Sequence, residues 1–345
     1  MENFDEYLKQ GEPNKAEKAK VWKTAIGLQQ VDGLKPSEYL IEIARQNIEG
    51  DITIDEVKKR IEFYYQQLPI TASKRGEDRT EEADKVSARI AEMLSEQTFT
   101  FSPAEYLSIH RRLFSGIFKF AGKIRDYNIT KKEWVLNGET VLYASAESLK
   151  ATLEYDYEQE RKFNYKGLNE HEIIEHLAHF ISNLWQIHIF GEGNTRTTAI
   201  FLIKYLRKLG FKHVNNDLFA NHSWYFRNAL VRANYEDLSK GIYRTEKYLI
   251  RFLSNLLLNG NYSLKNREMH ILAETVNDTV KAQIDTVNDT VFSLIKQDNK
   301  ITANEISDRL NMSLSTVKRK IKELKNNGKI ERAGSDKAGH WKITE

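Results

Sequence analysis

The sequence predicts a mainly α-helical protein with a small β-hairpin and a further domain near its C-terminal end. Only four prolines occur in 345 residues, and the helix-favouring residues Lys, Glu and Leu are plentiful. Apolar residues recur at helical spacing in successive segments. The dipeptide Asn137-Gly138 is a strong signal of a type I′ hairpin turn, with β-branched and aromatic residues on both sides.

Composition excludes several classes of protein. The chain has no cysteine, so disulfides and thiolate metal sites are excluded. Its 16 Tyr, 16 Phe and 5 Trp argue against general disorder, and a net charge of +3 is too small for a nucleic-acid binder overall. No signal peptide and no apolar run of membrane-spanning length are visible. We therefore expect a cytoplasmic protein without a membrane partner.

Four regions are predicted along the chain. Residues 1–68 form a helical region, with one helix starting at Ser37 and another at Thr53, and a polar linker follows. Residues 80–256 form the main domain, residues 257–290 a helical connector, and residues 291–345 the C-terminal domain. The connector repeats Thr-Val-Asn-Asp-Thr-Val at an offset of 11 residues, close to three helical turns, so self-association stays open.

The most informative stretch spans residues 188–201, between two apolar segments with helical character. A loop of small residues that leads into a helix forms a phosphate cradle, because the first backbone N–H groups of the helix are unpaired. The candidate nucleotide-binding residues are Gly191, Glu192, Gly193, Asn194, Thr195 and Arg196.

Chemistry suggests a role for the polar residues of this loop. His188 titrates near neutral pH and could take a proton from a hydroxyl. Glu192 offers a hard oxygen that suits Mg²⁺, and Arg196 offers a planar fork of donors for phosphate. Asn194 can donate to phosphate or cap the helix. The alternative is a structural helix–loop–helix corner with a buried histidine.

The loop resembles the Fic family signature, His-x-Phe-x-(Asp/Glu)-Gly-Asn-x-Arg, at His188, Phe190, Glu192, Gly193, Asn194 and Arg196. The resemblance implies transfer of AMP from ATP to a Ser, Thr or Tyr hydroxyl of a protein, or of the chain itself. It also implies that His188 is the general base, Glu192 the Mg²⁺ ligand and Arg196 a β-phosphate contact. Gly193 and Asn194 would hold the α- and β-phosphates.

The chain departs from the family pattern at three positions. Ile189 replaces the usual Pro, Thr195 replaces a Gly, and Ala199 replaces a second Arg. In relatives that Arg holds the γ-phosphate or pairs with an inhibitory Glu. A charge-assisted contact worth roughly 1.5–3 kcal/mol is therefore missing.

Residues 20–65 resemble the VbhA-type antitoxin that inhibits some Fic proteins. Its pattern, (Ser/Thr)-x-x-x-Glu-Gly followed by Leu, places Leu28 at the first position and Asp32 at the Glu, with Gly33-Leu34 following. Asp32 is thus the inhibitory candidate, but it is one methylene shorter than Glu. Glu49-Gly50 is a second candidate by pattern, with Arg45 at the Ser/Thr position. We expect inhibition that is weak or works differently, and a retained packing module is the alternative.

Residues 133–143 are predicted to form a hairpin around Asn137-Gly138, and this segment resembles the Fic flap. By this resemblance Val135, Leu136, Asn137 and Gly138 belong to an edge strand that docks an extended segment of the target by main-chain pairing. An ordinary surface hairpin is the alternative.

Residues 291–345 resemble a winged helix–turn–helix domain, with a recognition helix over 313–326 and a wing over 328–343. Residues 311–345 hold nine Lys or Arg and four Asp or Glu, a net +5, as contact with a phosphate backbone requires. A domain that binds protein, or only packs, is the alternative. The DNA-binding candidates, predicted to point outward, are Ser315, Thr316, Lys318, Arg319, Lys320 and Lys322.

These observations together predict a protein adenylyltransferase that uses ATP and Mg²⁺. A different class of function also fits the sequence. In that alternative the chain is a DNA-binding regulator whose Fic-like domain binds nucleotide without efficient turnover.

Overall fold

The chain forms two units, Met1–Ile271 and Leu272–Glu345, each described here by itself. The structure is a computed structural model that describes residues 4–67, 79–211, 214–272, 291–310, 314–326, 328–334 and 339–344. The predicted linker at 69–78 and the repeats at 275–291 lie almost wholly outside the described residues. The helices of the first unit are α1 (Asp5–Gln10), α2 (Pro13–Gly27), α3 (Glu38–Glu49), α4 (Ile54–Gln67), α5 (Thr80–Ser95), α6 (Pro103–Phe114), α7 (Leu149–Lys162), α8 (Glu170–Ile187), α9 (Asn194–Lys208), α10 (Asp217–Ala233) and α11 (Lys247–Leu258).

Short polar side chains cap several helices of this unit. The Ser37 hydroxyl accepts a hydrogen bond from the Leu40 backbone at the start of α3. Ser102 does the same for α6, where Pro103 occupies the first helical position. Thr53 and Glu56 exchange hydrogen bonds at the start of α4. The predicted mainly α fold is confirmed.

Helix α2 packs between α5 and α10, and Gly27 allows the closest approach. A Cβ at Gly27 would lie 2.3 Å from the Cα of Ala220, so no larger residue fits without a backbone shift. The Ser223 hydroxyl donates to the Gly27 carbonyl at 2.8 Å. This packing carries the chain directly into a 3₁₀ turn at Leu28–Asp32, which Gly33 ends with a positive φ.

The buried carboxylate of Asp84, on α5, joins residues of the N-terminal helices. It accepts hydrogen bonds from the Ser37 backbone at 2.8 Å, from the Ser37 hydroxyl, and from the Tyr65 hydroxyl at 2.7 Å. Asp84 is 0% exposed. Apolar residues from 4–61 and from 86–271 belong to one continuous core, with Trp22 and Trp185 among its largest members.

The predicted hairpin strands do not form around Asn137-Gly138. Asn137 and Gly138 both have positive φ, as the predicted turn requires. However, Trp134–Leu136 is a 3₁₀ turn closed by a hydrogen bond from the Glu133 backbone N–H to the Glu139 carbonyl. Val135 and Leu136 are fully buried. The flap is therefore a compact loop, because its apolar residues turn into the core instead of alternating along a strand.

The second unit has the layout of a winged helix. Residues 291–297 are helical and are followed by α12 (Ala303–Leu310) and α13 (Leu314–Asn326). Strands β1 (Ile330–Ala333) and β2 (His340–Ile343) pair antiparallel and form the wing. The unit has its own core, which includes Val291, Ile306, Val317 and Trp341. The predicted C-terminal winged-helix domain is confirmed.

Within the described ranges, no helix combines the length and apolar character needed to cross a bilayer.

Candidate functional site

The predicted loop lies between two helices, as the sequence indicated. Helix α8 ends at Ile187, and His188 follows in the left-handed region with φ 49°. Gly193, with φ 78°, precedes the first residue of α9. A Cβ at Gly193 would meet the Phe114 ring at 2.4 Å, so glycine is required there by both conformation and space. The loop therefore presents a helix N-terminus, the element that favours anions.

Asn194 fixes the shape of this loop. Its side-chain oxygen accepts from the Phe190 backbone N–H at 3.1 Å, and its side-chain nitrogen donates to the Phe190 carbonyl at 2.8 Å. The residue is 3% exposed. The predicted side-chain cap is thus wrong, because Gly193 is the cap residue and the Asn194 amide closes the loop on itself.

His110, on α6, supports the loop and was not among the predicted site residues. Its ring stacks on Phe190, with centroids 3.7 Å apart. Nδ1 accepts from the Gly122 N–H at 2.8 Å, so Nε2 carries the proton and donates to the Glu192 carbonyl at 3.0 Å. Burial lowers the pKa of His110 to about 4, which keeps the ring neutral.

Arg125 joins the loop to the flap. Its Nε donates to the His188 carbonyl at 2.8 Å, and its other nitrogens donate to the carbonyls of Tyr127 and Ala144. Its backbone N–H donates to the Ile189 carbonyl at 3.0 Å. These contacts join the His188 backbone to the chain segments before and after the flap.

The His188 imidazole is buried, with 3% of the residue exposed. Its ring packs against Tyr143 at 4.2 Å and Trp185 at 5.1 Å between centroids. Neither ring nitrogen has a hydrogen-bond partner among the described residues. Burial, and then the positive charge of Lys131, hold the pKa of His188 well below its usual value. The ring is therefore a neutral base with both nitrogens unused.

Glu192 is the only carboxylate of the motif and points into a cleft. It is one-third exposed, and its Oε2 lies 3.1 Å from the Lys131 ammonium. Within the described ranges, no three His, Asp or Glu side chains are grouped for a metal ion. A single carboxylate fits Mg²⁺ that is bound mainly through phosphates and water, and it does not fit a cage of protein ligands.

Arg196 is fully buried, and all three of its nitrogens have partners. Nη1 donates to the Gln29 side chain at 3.0 Å and Nη2 to Glu82 at 2.6 Å. Nε lies 2.9 Å from Oδ2 of Asp32, an ion-pair distance without the angle of a hydrogen bond. Glu82 also receives two hydrogen bonds from Arg79, each of 2.7 Å. The predicted phosphate-binding arginine is thus held by carboxylates.

Asp32 therefore contacts the motif, but not where the resemblance placed it. The resemblance pairs this position with the second arginine, which is Ala199 here, and Ala199 is fully buried. The short Asp32 side chain, at the end of the Leu28–Asp32 turn, reaches Arg196 instead. Thr195 is also engaged, since its hydroxyl accepts from the Trp185 indole at 3.0 Å.

A cleft of about 640 Å³ lies beside these groups. His188 does not line the cleft, although Lys131 and Arg227, which do, are charges that lower its pKa. The flap residue Tyr143 packs against the imidazole, and its hydroxyl lies 3.3 Å from Glu133. The lining residues are Gln30, Val31, Asp32, Gly33, Arg79, Lys131, Lys132, Glu192, Trp224 and Arg227.

Several predicted candidates outside the loop are less accessible than expected. Val135 and Leu136 are buried, so only Asn137 and Gly138 of the flap candidates are exposed. On α13, Lys318, Arg319 and Lys322 are exposed, but Lys320 is 4% exposed and points inward, contrary to the prediction. The side chains of Ser315 and Thr316 lie outside the described residues.

Four residues of the site carried no signal in the sequence: Glu82, His110, Arg125 and Lys131. Each touches the loop from a position 61 to 114 residues away along the chain. The spacing of a local motif does not report such contacts. A lone histidine on the apolar face of α6 was the one available hint.

Two parts of the chain match known protein families. The Fic/DOC family model matches residues 100–206, and a winged helix-turn-helix DNA-binding model matches residues 291–331. Protein adenylyltransferase VbhT of Bartonella schoenbuchensis is 28% identical over 109 residues, which are 32% of this chain and 21% of that protein. The match thus spans about a fifth of that relative's length.

Two solved structures are also similar. The N-terminal FIC domain of Bep8 from Bartonella sp. 1-1C has a TM-score of 0.36 and 16% identity, covering 68% of this chain and 92% of that chain. A Fic family protein from Desulfovibrio desulfuricans G20 has a TM-score of 0.38 and 12% identity, covering 98% of this chain and 90% of that chain.

Proposed function

We propose, because the chain contains a Fic domain and a winged helix–turn–helix domain, that it transfers AMP from ATP to a hydroxyl of a protein. The acceptor is a Ser, Thr or Tyr of a target or of the chain itself. The observation that carries the proposal is the neutral His188 imidazole, with two unused nitrogens, at the start of a loop that leads into a helix N-terminus.

In the proposed reaction, the acceptor oxygen attacks the α-phosphorus of ATP. The bond from that phosphorus to the bridging oxygen of the β-phosphate breaks, and diphosphate leaves. His188 accepts the hydroxyl proton on a ring nitrogen, while the backbone N–H groups from Gly191 to Thr195 bind the phosphates. When bound, Mg²⁺ would be held through Glu192 and would neutralise phosphate charge.

The closed geometry implies that the flap must move before an acceptor reaches His188. Tyr143 packs on the imidazole, and Arg125 bonds the chain segments before and after the flap. Solvation after this opening raises the pKa of His188 back towards neutrality and makes it a better base. The proposed role of Asn137 and Gly138 is to lie at the exposed tip of the flap, where the target docks.

Replacing His188 tests the proposal. The substitution His188→Ala should lower the transfer of label from ATP labelled at the α-phosphate by about 100-fold or more, the usual contribution of a general base. His179→Ala is the matched control, because His179 is exposed on α8, the helix that precedes His188, and bonds Glu246 instead of the loop. Equal labelling in the wild type and His188→Ala would contradict the proposal.

A second candidate function is favoured by the occupied state of Arg196. The nitrogens of Arg196 face Asp32, Glu82 and Gln29. In this second function the chain is a DNA-binding regulator whose Fic domain binds nucleotide without efficient turnover. The intact mass of the protein after incubation with Mg-ATP separates the two functions. An added AMP group supports the transferase, whereas salt-dependent DNA binding without an adduct supports the regulator.

A further inference from the structure

The cations available to a nucleotide in this cleft are not those of the motif helix. On helix α9, the nitrogens of Arg196 all face protein groups, and Ala199 carries only an uncharged methyl group. The cleft is instead lined by four cations from other segments, Arg79, Lys131, Lys132 and Arg227. A bound triphosphate needs positive charge close to its oxygens, and the four cations differ in how firmly the protein already holds them.

Two of the four are committed to buried carboxylates. Arg79 makes two hydrogen bonds to Glu82, which is 7% exposed. Arg227 makes two to Glu133, at 2.8 and 3.1 Å, and Glu133 is 1% exposed. Moving Arg227 to a phosphate would leave the buried Glu133 carboxylate without its guanidinium, which is costly. Moving Arg79 would take one of the two guanidinium groups from Glu82, which also bonds Arg196. Both arginines therefore stay with the protein.

Lys131 differs because its partner is the motif carboxylate itself. Its ammonium lies 3.1 Å from Glu192, and both side chains are partly exposed, at 22% and 33%. Its backbone N–H bonds the Thr140 hydroxyl at 3.1 Å, so the flap holds the residue in place while the side chain stays free to turn. If Glu192 held Mg²⁺, the Lys131 ammonium would have to exchange this carboxylate for another anion, and a phosphate of the nucleotide would be the nearest one.

We propose that Lys131 is a phosphate-binding residue that supplies the cation missing at Ala199, contacting the β- or γ-phosphate of ATP. This inference rests on the proposed function, whose nucleotide site it completes. Lys131 exchanges partners on binding, from the Glu192 carboxylate to a phosphate oxygen. The phosphates are thereby bound by the motif loop and by Lys131, whose backbone is held by the flap residue Thr140.

Nucleotide binding tests this role without requiring catalysis. Dissociation constants for ATP, ADP and AMP, each with Mg²⁺, would be measured by calorimetry on the full-length Asp32→Ala chain with and without Lys131→Met. We expect the substitution to weaken ATP and ADP by about tenfold, the effect of one charge-assisted contact. AMP, which has neither a β- nor a γ-phosphate, should change by less than about twofold.

Lys150→Met is the matched control, because Lys150 carries the same charge on α7, is 78% exposed and does not line the cleft. It should change ATP binding by less than about twofold. No loss in Lys131→Met, an equal loss for AMP, or an equal loss in Lys150→Met would overturn the inference. If the expected pattern appears without AMP transfer, only the proposed function fails. If the reference chain binds no ATP, both proposals fail.

Discussion

Arg196 was identified from the motif, but its contacts are with protein side chains and differ from the predicted phosphate contact. Its position in the signature predicts a phosphate contact, but its guanidinium is fully buried among Gln29, Glu82 and Asp32. Breaking a buried ion pair is costly when one charge is left behind. A phosphate of the nucleotide must therefore displace a carboxylate before Arg196 can contribute to its binding energy.

The pH dependence of stability should report the burial of His110. Its pKa is about 4 in the folded chain, against 6.5 for an ordinary histidine. Below pH 6.5 the unfolded chain binds more protons, so the free energy of unfolding falls as the pH drops from about 6.5 towards 4. The loss amounts to something on the order of 3 kcal/mol for this residue. Denaturant unfolding at several pH values measures it.

His110→Gln removes this titration and should flatten the pH dependence, although the variant is less stable at pH 7.5 because the loop loses its support. His171→Gln is the control, since His171 lies exposed at the start of α8. An unchanged slope in His110→Gln would show that the folded ring titrates normally.

The sequence predicted the residues of the loop because their chemistry is local. A histidine, two glycines, an acid and an arginine within nine positions define the helix–loop–helix corner, and the structure has that corner. The residues that support it, such as His110 and Arg125, contact it from 63 to 82 positions away along the chain. Only the tertiary fold brings them together.

At the scale of elements, the Leu28–Asp32 turn acts on the motif through one carboxylate. Asp32→Ala should raise AMP transfer by about tenfold or more, because one of the anions on Arg196 is removed and a phosphate can take its place. The measurement is the initial rate of labelling from ATP labelled at the α-phosphate.

Glu49→Ala is the matched control for this change. Glu49 also belongs to the N-terminal helices, but it pairs with Lys15 at 2.7 Å, away from the loop. The same rise in Glu49→Ala would mean that any loosening of these helices activates the chain. Since Glu82 still holds Nη2 of Arg196, activation by Asp32→Ala should remain partial.

The flap illustrates a limit of turn signals. Asn137-Gly138 correctly predicted two residues with positive φ. The flanking residues were predicted as strands from their β-branched and aromatic character, yet Val135 and Leu136 are both buried. Strand residues alternate between two faces, so two successive buried residues favour a turn that enters the core. Burial, which the sequence does not show, decided the outcome.

At the scale of the whole molecule, the winged-helix unit is proposed to bind DNA through α13. Lys318→Glu with Arg319→Glu should weaken binding to duplex DNA by at least about tenfold and reduce its salt dependence, because both side chains are exposed and would contact phosphates. Fluorescence anisotropy at several salt concentrations measures both effects. Lys300→Glu, exposed in the same unit but before α12, should have less effect. Equal weakening by the control would indicate only diffuse charge.

The carboxylate of Asp84 limits how the N-terminal region can regulate the chain. Three donors from Ser37 and Tyr65 bond this buried carboxylate. Separation of the N-terminal helices from α5 would leave the carboxylate without these hydrogen bonds. Activation should therefore proceed by a local hinge at the five-residue turn that bears Asp32, while α2, α3 and α4 remain docked. Deleting these helices should destabilise the chain instead of activating the proposed transferase, so a point substitution is the better test of activation.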